Sequence, residues 1–284
     1  MQLGRYELDE LIGRGGMAEV WLGRRRGAGG IEKRVVVKRI LRSRVNDPRF
    51  LELFLREARI SMALAHKNIV PVFDFGRADD ELFLVMEFID GPNLAQALSR
   101  ALELGSAPSP LLVAHIIFEA CQALDYAHRY KDPQGDAQRI AHRDVTPGNL
   151  LLSFAGEVKL GDFGLAAATS GLHEGVGKAQ GTPGYMAPEQ ARGELATPAA
   201  DIYSLGIVLR EALTMERCRR GSIDEQIEAA QSELPELPES VAPELREVCA
   251  RACAVSADER FGDARAMAEA LDQYLLQARA ADRD

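Results

Sequence analysis

Apolar positions divide the chain into a strand-rich first third and a helical remainder. Tyr6 to Ile12, Val20-Trp21-Leu22 and the β-branched run Val35-Val36-Val37 predict three strands. The turn Gly13-Arg14-Gly15-Gly16-Met17-Ala18-Glu19 joins the first two, and a hairpin loop from Arg24 to Glu32 leads into the third. Ile69 to Phe75 and Leu82 to Phe88 complete a predicted sheet of five strands. A helix interrupts them. Asp47 suits its N-cap and Pro48 its first position, and Phe50, Leu51, Phe54, Leu55, Ala58 and Met62 share its apolar side. From Gly91 the pattern turns helical, and Ser109-Pro110 opens a long helix that runs to about Tyr130. Val241 to Cys253 and Ala264 to Leu276 predict closing helices, with 277–284 as a frayed tail. In the middle of this helical part lie two short apolar runs, Leu150-Leu151-Leu152 and Val158-Lys159-Leu160, around Phe154-Ala155-Gly156-Glu157. They predict a small β-hairpin. Residues 164–180 show little periodicity and read as a mobile loop.

The hairpin organises the candidate chemistry. Asp144 stands before its first strand, Asn149 at the edge of that strand, and Asp162 just after the second, so the three meet at one end. Two oxygen ligands beside a free carboxylate suit a hard divalent cation. Asn149 and Asp162 would hold the ion and Asp144 would receive a proton, which is the equipment for phosphoryl transfer to a hydroxyl. Upstream, a glycine turn between strands can lay its backbone close over phosphates. Lys38 sits in a β-branched run, where it needs a partner to be buried.

His142-Arg143-Asp144 with Asn149, followed by Asp162-Phe163-Gly164, resembles the catalytic loop and metal-binding motif of protein kinases. The resemblance extends over about 6–276. Gly-Gly-Met-Ala-Glu-Val and the stretch Gly181 to Glu189 look most like bacterial, eukaryotic-like Ser/Thr protein kinases. It implies an α+β, two-lobed protein kinase fold: an N-lobe antiparallel β-sheet with one helix (αC of that family) and a larger, mainly α-helical C-lobe. The chain would be a single domain over 1–284, with the N-lobe at 6–87, the C-lobe at 88–276 and the tail at 277–284.

The same resemblance implies roles. Lys38, paired with Glu57, would position the α/β-phosphates of ATP, under a loop containing Gly13 and Gly15 in which Ala18 replaces the third motif glycine. Ile12, Val20, Val36 and Leu151 would sandwich the adenine, and backbone groups of Glu87 and Ile89 would hydrogen-bond it. Asp144 would be the base; Asn149 and Asp162 would hold Mg²⁺, or Mn²⁺ in its place. Arg143 would bind a phosphorylated activation-loop residue, with Thr169 and Ser170 the hydroxyls available between Gly164 and Gly181. Thr182 would contact Asp144, Asp201 would support the catalytic loop, and Arg260 would pair with Glu189. The segment through Ala187-Pro188-Glu189 resembles one that receives a protein substrate, which argues against a small-molecule kinase. One departure matters: Thr146 stands where Ser/Thr kinases usually carry a lysine that meets the γ-phosphate. That substitution is also the one feature favouring the alternative of an ATP-binding pseudokinase or signalling scaffold.

Composition narrows this further. The 284 residues are 46% hydrophobic and 27% charged, ordinary for a globular chain. Residues 1–87 hold 16 Lys and Arg against 13 Asp and Glu, and residues 88–284 hold 18 against 30. An acidic C-terminal part argues against nucleic-acid binding. No apolar run approaches the ~20 residues of a membrane span, and the first residues lack a signal-peptide core. The four scattered cysteines fit a reducing, cytoplasmic setting. Dimerisation through the N-lobe is left open.

Overall fold

The computed structural model describes residues 1–15, 18–41, 48–78, 81–163 and 181–281. Its first part is an antiparallel sheet of β1 (Gln2–Leu3), β2 (Tyr6–Arg14), β3 (Ala18–Arg26), β4 (Glu32–Ile40), β5 (Val72–Ala78) and β6 (Glu81–Glu87). The order is β1-β2-β3-β4-β6-β5. Period-two alternation decides which side chain meets which layer. Leu82 and Leu84 of β6 face helix α1 (Pro48–Ala63) with Ile40, Phe54 and Ala58; Phe83 and Val85 face the opposite way with Leu3, Tyr6, Leu8, Val35 and Val37. Both faces of β6 are covered, which is why it reads as an unbroken apolar run.

Three expectations are corrected. The sheet has six strands, because Gln2–Leu3 pairs with Glu7 and Tyr6. The strand expected at 69–75 runs instead over Val72–Ala78. Pro71 has no N–H for a ladder, and Ile69 and Val70 turn towards Leu160. The tail expected from residue 277 is helical to Ala281, within α8 (Ala264–Ala281). Gln277, Ala278, Arg279, Ala280 and Ala281 are all good helix formers.

The helical part contains α2 (Leu94–Glu103), α3 (Pro110–His128), α4 (Pro188–Ala191), α5 (Pro198–Thr214), α6 (Ile223–Ala229), α7 (Pro243–Ala252) and α8. Ser109 caps α3 by accepting from Leu112 N–H at 3.2 Å, with Pro110 at the first position. Asn93 and Gln96 form a reciprocal capping box at α2. The core is built on α3, α5, α7 and α8, with Ile117, Leu124, Leu205, Leu245 and Leu271 all sealed from solvent. Among the described residues no helix is long and apolar enough to cross a membrane.

The hairpin of β7 (Leu150–Leu152) and β8 (Val158–Leu160) joins the two parts. Its turn is closed by Gly156 N–H to Ser153 O at 2.9 Å, with Gly156 at φ +87°, a conformation that costs glycine little. On one edge, Leu160 N–H donates to Asn68 O at 2.8 Å and Val70 N–H to Leu160 O at 3.0 Å. On the other, Leu152 N–H donates to Pro92 O at 2.9 Å and Phe154 N–H to Asp90 O at 2.8 Å. Lys159, buried, pairs with Glu87 at the end of β6 at 2.9 Å.

Candidate active site

The register Leu150↔Leu160, continued by Gly161 N–H to Asn149 O at 2.8 Å, brings Asn149 and Asp162 to the same end of the hairpin. The Asn149 amide donates to the Asp144 main-chain carbonyl at 2.8 Å and reaches its carboxylate at 3.4 Å. That use of the nitrogen leaves the amide oxygen as the outward group. On its other side Asp144 Oδ1 accepts from Thr182 N–H at 3.0 Å and from Thr182 Oγ1 at 2.7 Å. Asp144, Asn149 and Thr182 therefore form one hydrogen-bonded group.

Asp162 lies beside this group at φ +59°, and its Oδ1 is 3.1 Å from Lys38 Nζ on β4. This gives Lys38 a partner from far downstream in the chain. Glu57 lies on α1, but its side chain is outside the described residues, as are Thr169 and Ser170. Around the rest of the cleft, Gly13 pairs with Val20, and Gly15 N–H donates to Ala18 O at 2.9 Å across the hairpin neck. Ile12 is exposed, while Val20, Val36 and Leu151 are half-buried. The Ile89 carbonyl accepts from Gly91 N–H at 3.1 Å; the Ile89 N–H has no hydrogen-bond partner among the described residues.

The backbone at His142 and Arg143 is held by α5. Asp201 is 1% exposed, and its carboxylate accepts from His142 N–H at 2.7 Å, Arg143 N–H at 2.7 Å and His128 Nε2 at 2.8 Å. Burial works to raise its pKa, but the bond from His128 and the backbone donors prevail, so the carboxyl sits below the usual aspartate range. These bonds fix Arg143 at φ +71°, a left-handed conformation that costs a non-glycine residue about 1–2 kcal/mol. His142 Nε2 lies 2.8 Å from Gly161 O and its Nδ1 accepts from Asp144 N–H at 3.3 Å, the pattern of an imidazole protonated at Nε2. Its ring packs edge-on against Phe163, whose carbonyl accepts from Ser61 Oγ of α1 at 2.7 Å.

The segment that follows is fastened equally closely. Gly181 is at φ +112°, and a Cβ there would meet Arg143 O at 2.9 Å. Gln190 Nε2 donates to the same carbonyl at 3.0 Å. Arg260, fully buried at its side chain, makes two bonds to Glu189 at 2.7 and 2.8 Å. Burial pushes Glu189 up, yet Arg260 brings its carboxyl below the usual range. Thr146, in the position that departs from the resemblance, is buried, and its carbonyl accepts from Asn149 N–H at 3.1 Å.

Several participants escaped sequence reasoning. Arg219 is buried and donates to Met186 O at 2.7 Å and to the Tyr203 hydroxyl, holding the segment before α4 against α5. His128, Gln190 and Lys159 likewise act through partners distant in sequence. Gln190 alone had a local signal, since it directly follows the Ala187-Pro188-Glu189 motif.

The protein kinase domain family model matches residues 6–274. The chain belongs to the protein kinase family. It is 36% identical over 277 residues to the serine/threonine-protein kinase PknB of Mycolicibacterium smegmatis, covering 93% of this chain and 42% of that protein. It is 38% identical over 213 residues to the serine/threonine-protein kinase PrkC of Bacillus subtilis, covering 74% and 30%. It is 37% identical over 285 residues to the tyrosine-protein kinase MasK of Myxococcus xanthus, covering 96% and 43%. The kinase domain thus spans less than half the length of these relatives. A crystal structure of the Mycobacterium tuberculosis PknI kinase domain, a double mutant, superimposes with a TM-score of 0.75 at 25% identity, over 97% of each chain. The curled antiparallel sheet and helical second part are therefore the protein kinase fold. The family uses ATP and a divalent metal.

The donor set suits such an ion. Asn149 and Asp162 offer hard oxygen ligands. Among the described residues no group of three or more His, Cys, Asp or Glu side chains is placed to hold a metal by itself. Two protein ligands fit an ion whose shell is completed by substrate phosphates.

Proposed function

We propose that this kinase domain transfers the γ-phosphoryl group of ATP to Ser or Thr hydroxyls of a protein substrate. The observation that carries the reading is the Asp144–Thr182–Asn149 group. One carboxylate stands at the end of the hairpin, oriented by two neighbours, with Lys38 and Asp162 beside it. Asp144 orients the incoming hydroxyl and accepts its proton. Lys38, released from Asp162 or shared with it, meets the α/β-phosphates, with Glu57 as its second partner. The backbone over 13–18 covers the triphosphate, and the Ile89 N–H with the Glu87 backbone receives the adenine between Ile12, Val20, Val36 and Leu151. Asn149 and Asp162 hold Mg²⁺, which neutralises phosphate oxygens when bound. Arg143 receives a phosphate on Thr169 or Ser170, and the domain works in the cytoplasm.

Intact-mass spectrometry before and after incubation with Mg²⁺-ATP tests this, with a basic protein as acceptor. The expected result is added phosphoryl groups, on the chain or the acceptor, all on Ser or Thr. Asp144→Asn should lower the rate by at least about 10²-fold while ATP still binds. Thr146 and the likeness to MasK favour a second reading, a tyrosine kinase, and phosphotyrosine as the sole product would establish it instead. ATP binding without any transfer would point to a pseudokinase.

A further inference from the structure

The catalytic machinery leaves a second cavity unused. It encloses about 480 Å³ between the C-terminal half of α5, the segment 233–237 and α7. That is within the range of small-molecule sites. Arg210 of α5 and Arg246 of α7 both line it. Neither forms an ion pair with any described residue. Arg210 lies beside the Cys218 thiol and donates to the Glu236 carbonyl at a long 3.4 Å. Arg246 Nε is sealed from solvent and has no hydrogen-bond partner. Arg246 as a whole is only half-buried and lines the cavity, so a ligand there meets parts of its side chain other than the sealed Nε.

Acids are close by but differently placed. Glu233, Glu236, Glu247 and Glu259 line the same cavity and are all exposed, so they stand at its mouth in water. The remaining wall is apolar. Leu237 is buried and Leu234 half-buried, and burial pushes the Cys253 thiol up to about 12 and Cys249 well above its ordinary value, so both thiols stay neutral.

We propose that this cavity binds a small organic monocarboxylate with an apolar body, its carboxylate held by Arg210 and Arg246 and its body against Leu234 and Leu237. A planar guanidinium matches a carboxylate in shape and offers it paired donors. The four exposed glutamates that line the cavity repel a multiply charged phosphate or sulfate more strongly than a single negative charge. The apolar wall gives affinity only to a ligand that has something to lay on it. The site is separate from the phosphoryl-transfer centre but shares its supporting helix. Arg210 lies nine positions after Asp201 on α5, roughly 13 Å along the axis.

Isothermal titration calorimetry on the whole chain tests the proposal with two probes of one shape, 3-phenylpropionate and its neutral counterpart 3-phenylpropan-1-ol. The acid should bind saturably, with the alcohol at least about tenfold weaker, since a charge-assisted pair is lost. Arg246→Met keeps most of the stem and removes an orphaned donor, so it should fold with an undiminished thermal midpoint and bind the acid at least about tenfold more weakly. Ala250→Trp, on an exposed position lining the cavity one helical turn from Arg246, should block the acid while leaving both arginines in the sequence. Equal affinity for acid and alcohol, full affinity in Arg246→Met, or no saturable binding of the acid in the millimolar range would each overturn the assignment.

Discussion

Replacing Asp201 by Asn isolates the link between the buried helix and the loop that carries Asp144. The side chains are nearly the same size, so packing is preserved. The carboxylate, however, accepts three hydrogen bonds with its two oxygens. An amide has one oxygen. Whichever way it turns, its NH₂ faces a donor, either Arg143 N–H or His142 N–H. One buried backbone donor is then unsatisfied, at about 1–3 kcal/mol, and the surviving bonds lose their ionic assistance. The expected destabilisation is about 2–4 kcal/mol. For a chain of this length that lowers the thermal midpoint by about 4–8 °C. Function should suffer more than stability. Arg143 is held at φ +71° by a bond that the neutral amide would weaken, and Asp144 is the next residue. Phosphoryl transfer should fall by at least about tenfold, because misplacing a catalytic group by ~1 Å is enough for that. ATP affinity should hold, since Lys38 and the 87–89 segment lie on other elements. Differential scanning fluorimetry and a steady-state transfer assay give the two readouts. A midpoint within about 1 °C of wild type together with an unchanged rate would refute the account of Asp201 as the anchor of this loop.

Arg260→Met should lower stability by about 3–5 kcal/mol, because it strands the Glu189 carboxylate in the interior. Adding Glu189→Leu should recover part of the loss in urea unfolding, and no recovery would place the damage in the bonds that Arg260 gives to the Ala254, Ala199 and Val255 carbonyls. Thr146→Lys should raise turnover by about tenfold if the missing charge on the γ-phosphate limits the rate, and an unchanged kcat would remove that explanation. Stability should fall on acidification. Arg14 and Arg39 hold the Glu19 carboxyl down to about 2 from 4.5, and Asp201 and Glu189 are lowered in the same sense. A carboxyl held lower in the folded state contributes fully above its unfolded value. That contribution drains away between about pH 4.5 and 2, so a thermal midpoint that rose on acidification through this interval would contradict the assignment.

The parts of the site that could be read from the chain are those whose partners are near in sequence. Asp144, Asn149 and Asp162 converge because a hairpin of fixed register folds their segment back on itself, and both strands announce themselves as short apolar runs. Pro110 after Ser109 marked the start of α3 for the same reason, a local cap with a local signature. Apolar pattern does not mark a boundary where a distant strand competes, as at Ile69 and Val70, which pair with Leu160 and not with β6. The first strand has no pattern in the sequence, because two residues cannot show a period.

Pattern could mark Lys38 as a lysine in need of company, but not that the company here would be Asp162. Arg219, His128 and the orphaned Arg246 carry no local signature at all, since an arginine or histidine on a helix or turn is ordinarily a solvated side chain. Alternation and capping are short-range and are written into neighbouring residues. Which buried polar group meets which acceptor depends on how whole helices and strands stack, and that was decided only when α3, α5 and α7 closed around a shared core.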